Sequence, residues 1–174
     1  MESLKYTADD IAGWFIDFNN RYVENEEAEL LSPMKLQKLL YYAQGAFLAI
    51  DDAALFEDDI EVWDHGPVIP SVYYKYKKYG AGGIEKSEVD VPAEINEHTY
   101  AMLYGIYEKY SKHSASQLRN MTHREEPYIQ ASENSNDEVK IISKASMKDY
   151  FSSTVYKKWL DDTLFDDIPV EEIL

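Results

Sequence analysis

Residues 32–50, SPMKLQKLLYYAQGAFLAI, decide the fold. Ser32 is a favoured helix N-cap, and Pro33 at the first helical position gives up no hydrogen bond, because that N–H would have no intrahelical acceptor. From there Leu36, Leu39, Leu40, Ala43, Phe47 and Ile50 make a broad apolar stripe. Tyr41 and Tyr42 widen it beyond what one packing partner needs. The spacing predicts a central helix contacted on several sides and ended by Asp51 and Asp52. The leucines face the core in this reading, and Lys35 and Lys38 share another face.

The flanking stretches read as shorter helices and one strand. Thr7 is a good N-cap with Asp10 at N3, close to a capping box. Ile11, Trp14, Phe15, Phe18 and Tyr22 recur on one helical face, predicting a helix that ends near Glu24. Residues 57–63, EDDIEVW, place Ile60 and Val62 on either side of Glu61 and predict a short strand. Asp64-His65-Gly66-Pro67 reads as a turn, since Asp caps, Gly takes unusual backbone angles and Pro fixes φ. Pro70-Ser71 opens a short helix that Gly80, Gly82 and Gly83 terminate. Pro92 precedes a long helix with Ile95, Met102, Leu103, Ile106, Tyr107 and Tyr110 on its apolar face. Ser114 and Gln117 fit the S-x-x-Q capping box and start a helix carrying Leu118 and Met121. Thr122-His123 reads as a break. Pro127 suggests one more helical turn through Ala131, and Ser146, with Asp149 at N3, caps a last helix through Phe151, Val155 and Trp159. The short connections predict a mainly α fold: a single compact helical domain over residues 1–160 with one small β element near 57–63. Residues 161–174, DDTLFDDIPVEEIL, make an acidic-hydrophobic C-terminal tail.

Composition narrows the function. Lys and Arg number 17 against 33 Asp and Glu, a net charge of −16 in 174 residues. An apolar content of 45% with 15 tyrosines is too high for a disordered acidic chain. Without cysteine there is no disulfide framework, thiolate metal site or cysteine nucleophile. No apolar run approaches the roughly 18 residues that span a bilayer. The opening MESLKYTADD has neither the basic nor the apolar region of a secretory signal, so a cytoplasmic location is expected. The charge argues against nucleic acid as a partner, because duplex binding depends on neutralising phosphates. It favours a basic protein partner.

No motif for catalysis is present: the chain lacks G-x-S-x-G, G-x-x-x-x-G-K-[ST], H-E-x-x-H and G-x-G-x-x-G. Gly80-Ala81-Gly82-Gly83 follows a helix instead of opening one, which makes it a helix stop and not a phosphate loop. Neither cofactor nor metal is implied. His65 and His123 sit at element junctions, and two readings stay open for them. Each imidazole donates to a backbone carbonyl at a turn, or the pair serves a small metal- or His-dependent enzyme with Asp64, Glu125 or Glu126 as acid–base groups. His98 and His113 read as solvated helix positions. SVYYKYKKYG (71–80) interleaves Tyr with Lys, as base-stacking sites do. Yet Val72, Tyr76 and Tyr79 share one side and Lys75 and Lys78 another, which is an ordinary amphipathic helix. A DNA-binding autoregulator remains as a further alternative, although no basic recognition helix or arm is visible. The tail reads either as a docking peptide or as a segment packed back on the body.

Three stretches together go beyond these generic readings. They are Met34-Lys35-Leu36-Gln37-Lys38-Leu39-Leu40-Tyr41-Tyr42, then Trp63-Asp64-His65-Gly66-Pro67-Val68-Ile69-Pro70 with Val72-Tyr73, then Leu118 followed by Thr122-His123-Arg124-Glu125-Glu126-Pro127-Tyr128. They resemble the Panacea antitoxin domain, the SocA-like family of phage-associated proteins, over about residues 7 to 155. The family pattern runs K-L-Q-K-L-L-Y-Y, W-x-H-G-P-V-x-P-x-V-Y and L-x-x-x-T-H-x-E-x-P-W; Tyr128 stands where it has Trp. The resemblance implies the antitoxin of a two-gene toxin–antitoxin pair. Its partner is a cognate toxin, which it neutralises by direct binding or delivers to a ClpXP-type protease. The motif residues with a binding or structural role are Lys35, Gln37, Lys38, Tyr42, Trp63, His65, Gly66, Pro67, Tyr73, Tyr74, His123, Glu125 and Pro127; none is catalytic. The tail and the Tyr-rich helix at 70–79 are the expected contact regions.

Overall fold

The computed structural model describes residues 6–89, 94–134 and 138–153. The helix beginning at Ser32 is its axis. Ser32 accepts a hydrogen bond from the Lys35 N–H at 3.2 Å, and α2 (Pro33–Asp51) runs from there to a left-handed cap at Asp52, φ 52°. Every residue from Leu36 to Leu48 is buried, including the polar Gln37, Lys38 and Gln44. So long a wholly buried run needs neighbours on all sides, and the fold supplies them.

On one side lies α1 (Ala8–Glu24), opened by the predicted capping box: Thr7 and Asp10 exchange hydrogen bonds at 3.2 and 2.9 Å. Its aromatics meet those of α4 (Glu97–Tyr110). Trp14 stacks on Phe18 at 4.7 Å, Phe18 meets Tyr107 edge-on at 5.0 Å, and the Tyr107 hydroxyl donates to Asn19 Oδ1 at 2.7 Å. Ile95 precedes α4, packed against the core, because Asn96 takes the cap.

Two polar side chains of α2 clamp the loops beside it. Gln44 accepts from the Leu55 N–H at 2.8 Å and donates to the Phe56 carbonyl at 2.8 Å. Gln37, two turns earlier on the same face, accepts from the Ile69 N–H at 2.8 Å and donates to the Ile69 carbonyl at 3.3 Å. Each glutamine thus ties buried loop backbone to α2, and the Ile69 carbonyl also accepts from the Tyr73 N–H of the next helix at 3.0 Å.

The strand expected at 57–63 is confined to β1 (Glu61–Trp63), which pairs antiparallel with β2 (Gly66–Val68). The turn shrinks to Asp64-His65, and Gly66 and Pro67 belong to β2, where an edge strand tolerates Pro. An isolated bridge joins Glu61 to Ile141 on the far side of β1, with the Val62 N–H donating to the Lys140 carbonyl at 2.9 Å. After β2 come α3 (Pro70–Tyr76) and a 3₁₀ turn at Lys77–Tyr79, stopped at Gly80 with φ 57°. Val72 and Tyr76 are buried as expected, and Lys75 reaches Asp9 of α1 at 2.8 Å.

The last helices differ from the sequence reading at their ends. α5 (Ala115–His123) has the predicted capping box but runs through Thr122-His123 without a break. The Thr122 hydroxyl bonds back to the Arg119 carbonyl at 2.8 Å, so this residue is satisfied inside a helix. α6 (Glu126–Asn134) extends past Ala131. α7 (Lys144–Phe151) is capped by Ser143, which accepts from the Ser146 N–H at 3.1 Å; Ser146 is therefore inside the first turn and not its cap. His113 lies in the turn after α4 and not on a helix. Val155, Trp159 and the tail at 161–174 lie outside the described residues. Seven α-helices and one two-stranded sheet among the described residues make the fold mainly α.

Candidate functional site

The first turns of α2, the β1–β2 hairpin and α3 enclose a pocket of about 730 Å³. Gln37 and Lys38 from the first motif stretch and Trp63, His65 and Tyr73 from the second meet in its wall. Trp63 ends β1 and meets Tyr73 edge-on, ring centroids 4.8 Å apart. The Gln37 clamp on Ile69 fixes where α3 leaves the hairpin. Met34 and Val68 complete an apolar lining, with Lys77 and Lys140 among the lining residues as well.

Lys38 departs most from expectation. It does not share a solvated face with Lys35 but is fully buried, its ammonium donating to the Pro67 carbonyl at 3.1 Å. Its path explains Gly66. At φ 111° that backbone suits glycine, and a Cβ there would lie 2.7 Å from Lys38 Cε and 3.0 Å from Thr122 Oγ1. Burial, and the Arg119 guanidinium nearby, pull the Lys38 ammonium down to about 7.

The hairpin rests on α5 and α6. The His123 ring stacks on Tyr128 at 4.5 Å, and the Tyr128 hydroxyl donates to the Trp63 carbonyl at 2.7 Å. Burial lowers the His123 pKa, and Arg119, Lys38 and His65 lower it further; only the Asp64 backbone acts the other way. The two imidazoles are therefore within electrostatic reach of each other, His65 exposed at the hairpin tip and His123 half-buried.

Glu125 is not with them. Its Oε2 accepts from the Tyr42 hydroxyl of α2 at 3.0 Å. Tyr41 and Tyr150 stand close to the same carboxyl, yet Oε1 and the Tyr41 hydroxyl are buried without a hydrogen bond of normal geometry. Burial outweighs the tyrosines and lifts the carboxyl to about 7. Burial and the Glu125 charge push both the Tyr41 and Tyr42 hydroxyls above the usual phenol range.

The remaining motif residues scatter. Pro127 is buried in α6, and Tyr74, next to Tyr73, is 60% exposed with the Lys77 ammonium 5.2 Å from its ring centre. The Lys35 ammonium donates to the Ser111 carbonyl in a separate, larger groove of about 1220 Å³, whose walls include Glu27, Glu108 and Lys112. Sequence reasoning gave no site role to Met34 and Arg119, although both lie in the motif stretches, and missed Val139 and Lys140. Arg119 precedes His123 by one helical turn, a spacing that could have flagged it. Val139 and Lys140 reach the pocket only through the bridge to β1, which leaves no local signal. Among the described residues no group of three or more His, Asp or Glu is placed to hold a metal ion, and no helix is long and apolar enough to cross a membrane.

A protein-family model described as antitoxin SocA-like, Panacea domain, matches residues 36–129. No curated protein and no solved structure matches the chain. The matched segment carries most of α2, the hairpin, α3 to α5 and the Glu125–Tyr128 stretch; α1 and α7 pack on α2 from outside it. With more than half of its length in that match, the chain belongs to the SocA-like antitoxin family with the Panacea domain.

Proposed function

We propose that this protein is the antitoxin of a two-gene pair and neutralises a cognate toxin in the cytoplasm by direct protein–protein binding. The carrying observation is Tyr74, a large aromatic left 60% exposed on α3 beside the pocket, where the other described tyrosines are buried or half-buried. An aromatic held on a short, well-anchored helix makes a low-entropy interface anchor. Val139 and Ile141, 54% and 47% exposed, extend the apolar surface across β1. The net charge of −16 suits a basic toxin, because opposite fields accelerate encounter. The family name supports the antitoxin role.

Co-expression with the neighbouring gene tests the reading. The expected result is rescue of growth and co-purification of the two proteins. Tyr74→Ala, which touches no core contact, should weaken the complex by roughly tenfold or more while leaving the melting temperature unchanged. A harmless neighbour with no complex would remove the proposal. Repeating the rescue in cells lacking the ClpXP-type protease separates blocking from delivery: toxin that persists, bound and inactive, means blocking, and rescue that vanishes means delivery.

A further inference from the structure

The pocket beside the hairpin joins aromatic walls to unpaired acids. Trp63 and Tyr73 are half-buried, and their rings meet edge-on at 4.8 Å to form one corner of it. Met34 and Val68 continue the apolar wall. Glu61, Asp64 and Glu138 line the same space, with Asp64 and Glu138 exposed. The ion pairs among the described residues take Asp9, Asp51, Asp52 and Glu88 as their acids, so none of these three carboxylates is paired there.

The bases of the lining are engaged elsewhere. Lys38 is buried beneath Gly66 and donates to the Pro67 carbonyl. The Lys140 ammonium donates to the Ser132 carbonyl at 2.6 Å, and the Lys77 ammonium lies over the Tyr74 ring. His65 stands at the exposed hairpin tip. A visitor therefore meets aromatic surface with carboxylates around it, in a chain of net charge −16. An anion would be repelled, and a neutral apolar group would leave the acids unanswered. A guanidinium suits both features: it is planar and weakly hydrated, stacks on aromatic rings, and presents a fork of N–H donors to carboxylates. An ammonium is compact and strongly hydrated, and gains less from the rings. The space of about 730 Å³ exceeds one side chain, so the residues flanking the arginine enter with it.

We propose that this pocket is a socket for an arginine side chain of the partner protein, stacked in the Trp63–Tyr73 corner and held by Glu61, Asp64 and Glu138. The inference rests on the protein-binding reading above and names what the partner presents: an arginine on an exposed segment. Tyr74, next to Tyr73 and exposed, takes the residues beside that arginine. Arginine anchors seated in aromatic pockets are frequent centres of interface energy.

The Trp63 indole N–H signal of the full chain, assigned with Trp63→Phe, reports the site in a titration with three capped tripeptides. They carry arginine, lysine or citrulline between glycines, and citrulline keeps the shape of arginine without its charge. The arginine peptide should shift the signal saturably, with lysine weaker by several-fold and citrulline by at least about tenfold. The double variant Asp64→Asn, Glu138→Gln changes two exposed residues and should weaken the arginine peptide by about tenfold. Tyr73→Leu should weaken it as well. No shift with arginine, arginine binding no tighter than lysine or citrulline, or indifference to the double variant would each overturn the proposal. In the co-expressed complex the same double variant should weaken toxin binding by about tenfold. A complex of unchanged affinity overturns the socket and leaves the antitoxin reading standing. A harmless neighbour, with the arginine peptide still bound at Trp63, removes that reading and supports the socket.

Discussion

Burial lifts the Glu125 carboxyl from 4.5 to about 7, which makes stability depend on pH. The unfolded chain releases the proton near 4.5 and the folded chain near 7, so the native state holds it more tightly in between. Stability from this group is therefore whole below about 4.5, falls as pH rises to about 7, and stays reduced above. A rise of that size corresponds to about 3 kcal/mol. Glu125→Gln keeps an acceptor for the Tyr42 hydroxyl and removes the titration. The variant should match the wild-type chain near pH 4.5 and exceed it by a few kcal/mol at pH 8, read as the difference between their urea midpoints. Lys38 works in the opposite sense: its lowered pKa makes stability rise between about pH 7 and 10.5, and the same comparison with Lys38→Met separates the two groups.

At the scale of elements, α2 is held less by its amphipathic character than by what its individual residues do. Gln37 and Gln44 fix the flanking loops, while Gly45 lets α7 approach. A Cβ at Gly45 would lie 2.2 Å from the Phe151 ring, which also meets Tyr41 and Tyr42 edge-on at 5.5 and 6.0 Å. Gly45→Ala should gain about 1 kcal/mol in helix propensity and lose about 1–3 kcal/mol in overpacking. The expected net effect is destabilisation concentrated in α7, seen as faster hydrogen exchange of residues 147–151 than of α1. Phe151, Tyr150 and the Glu125 carboxyl meet at this helix, so loosening α7 also exposes the buried acid. That change should bring the pH dependence of the Gly45→Ala variant closer to that of Glu125→Gln.

Across the whole molecule, charge and burial separate. Among the described residues most acids are exposed or half-buried, the Glu125 carboxyl apart, while Lys38 is buried and Arg119 Nε and His123 Nε2 lie beneath the hairpin without hydrogen-bond partners. If the toxin is basic, association should slow by roughly tenfold or more between low and high salt, while dissociation changes little; stopped-flow mixing at several salt concentrations measures both. Equal association rates across that range would exclude steering by the net charge. The helix periods, the caps at Thr7, Ser32 and Ser114 and the central position of α2 were all legible in the sequence, because they depend on residues within a turn or two of each other. So was the strand ending at Trp63, expected over 57–63 and found at Glu61–Trp63, though not its length. The continuity of α5 through His123 was not, since a back-bonded threonine and a helix-ending threonine look alike in sequence. Nor was the burial of Lys38, because Lys35 and Lys38 repeat at the same local spacing. Gly66, Thr122 and Pro67 decide which of the two goes inside, and those residues meet Lys38 only when strand, helix and turn close together. The sequence by itself determined the presence of the helices, the caps at Thr7, Ser32 and Ser114, and the family. Tertiary packing alone decided which charges lost their solvent and which motif residues came to share one pocket, because desolvation depends on neighbours distant in the chain.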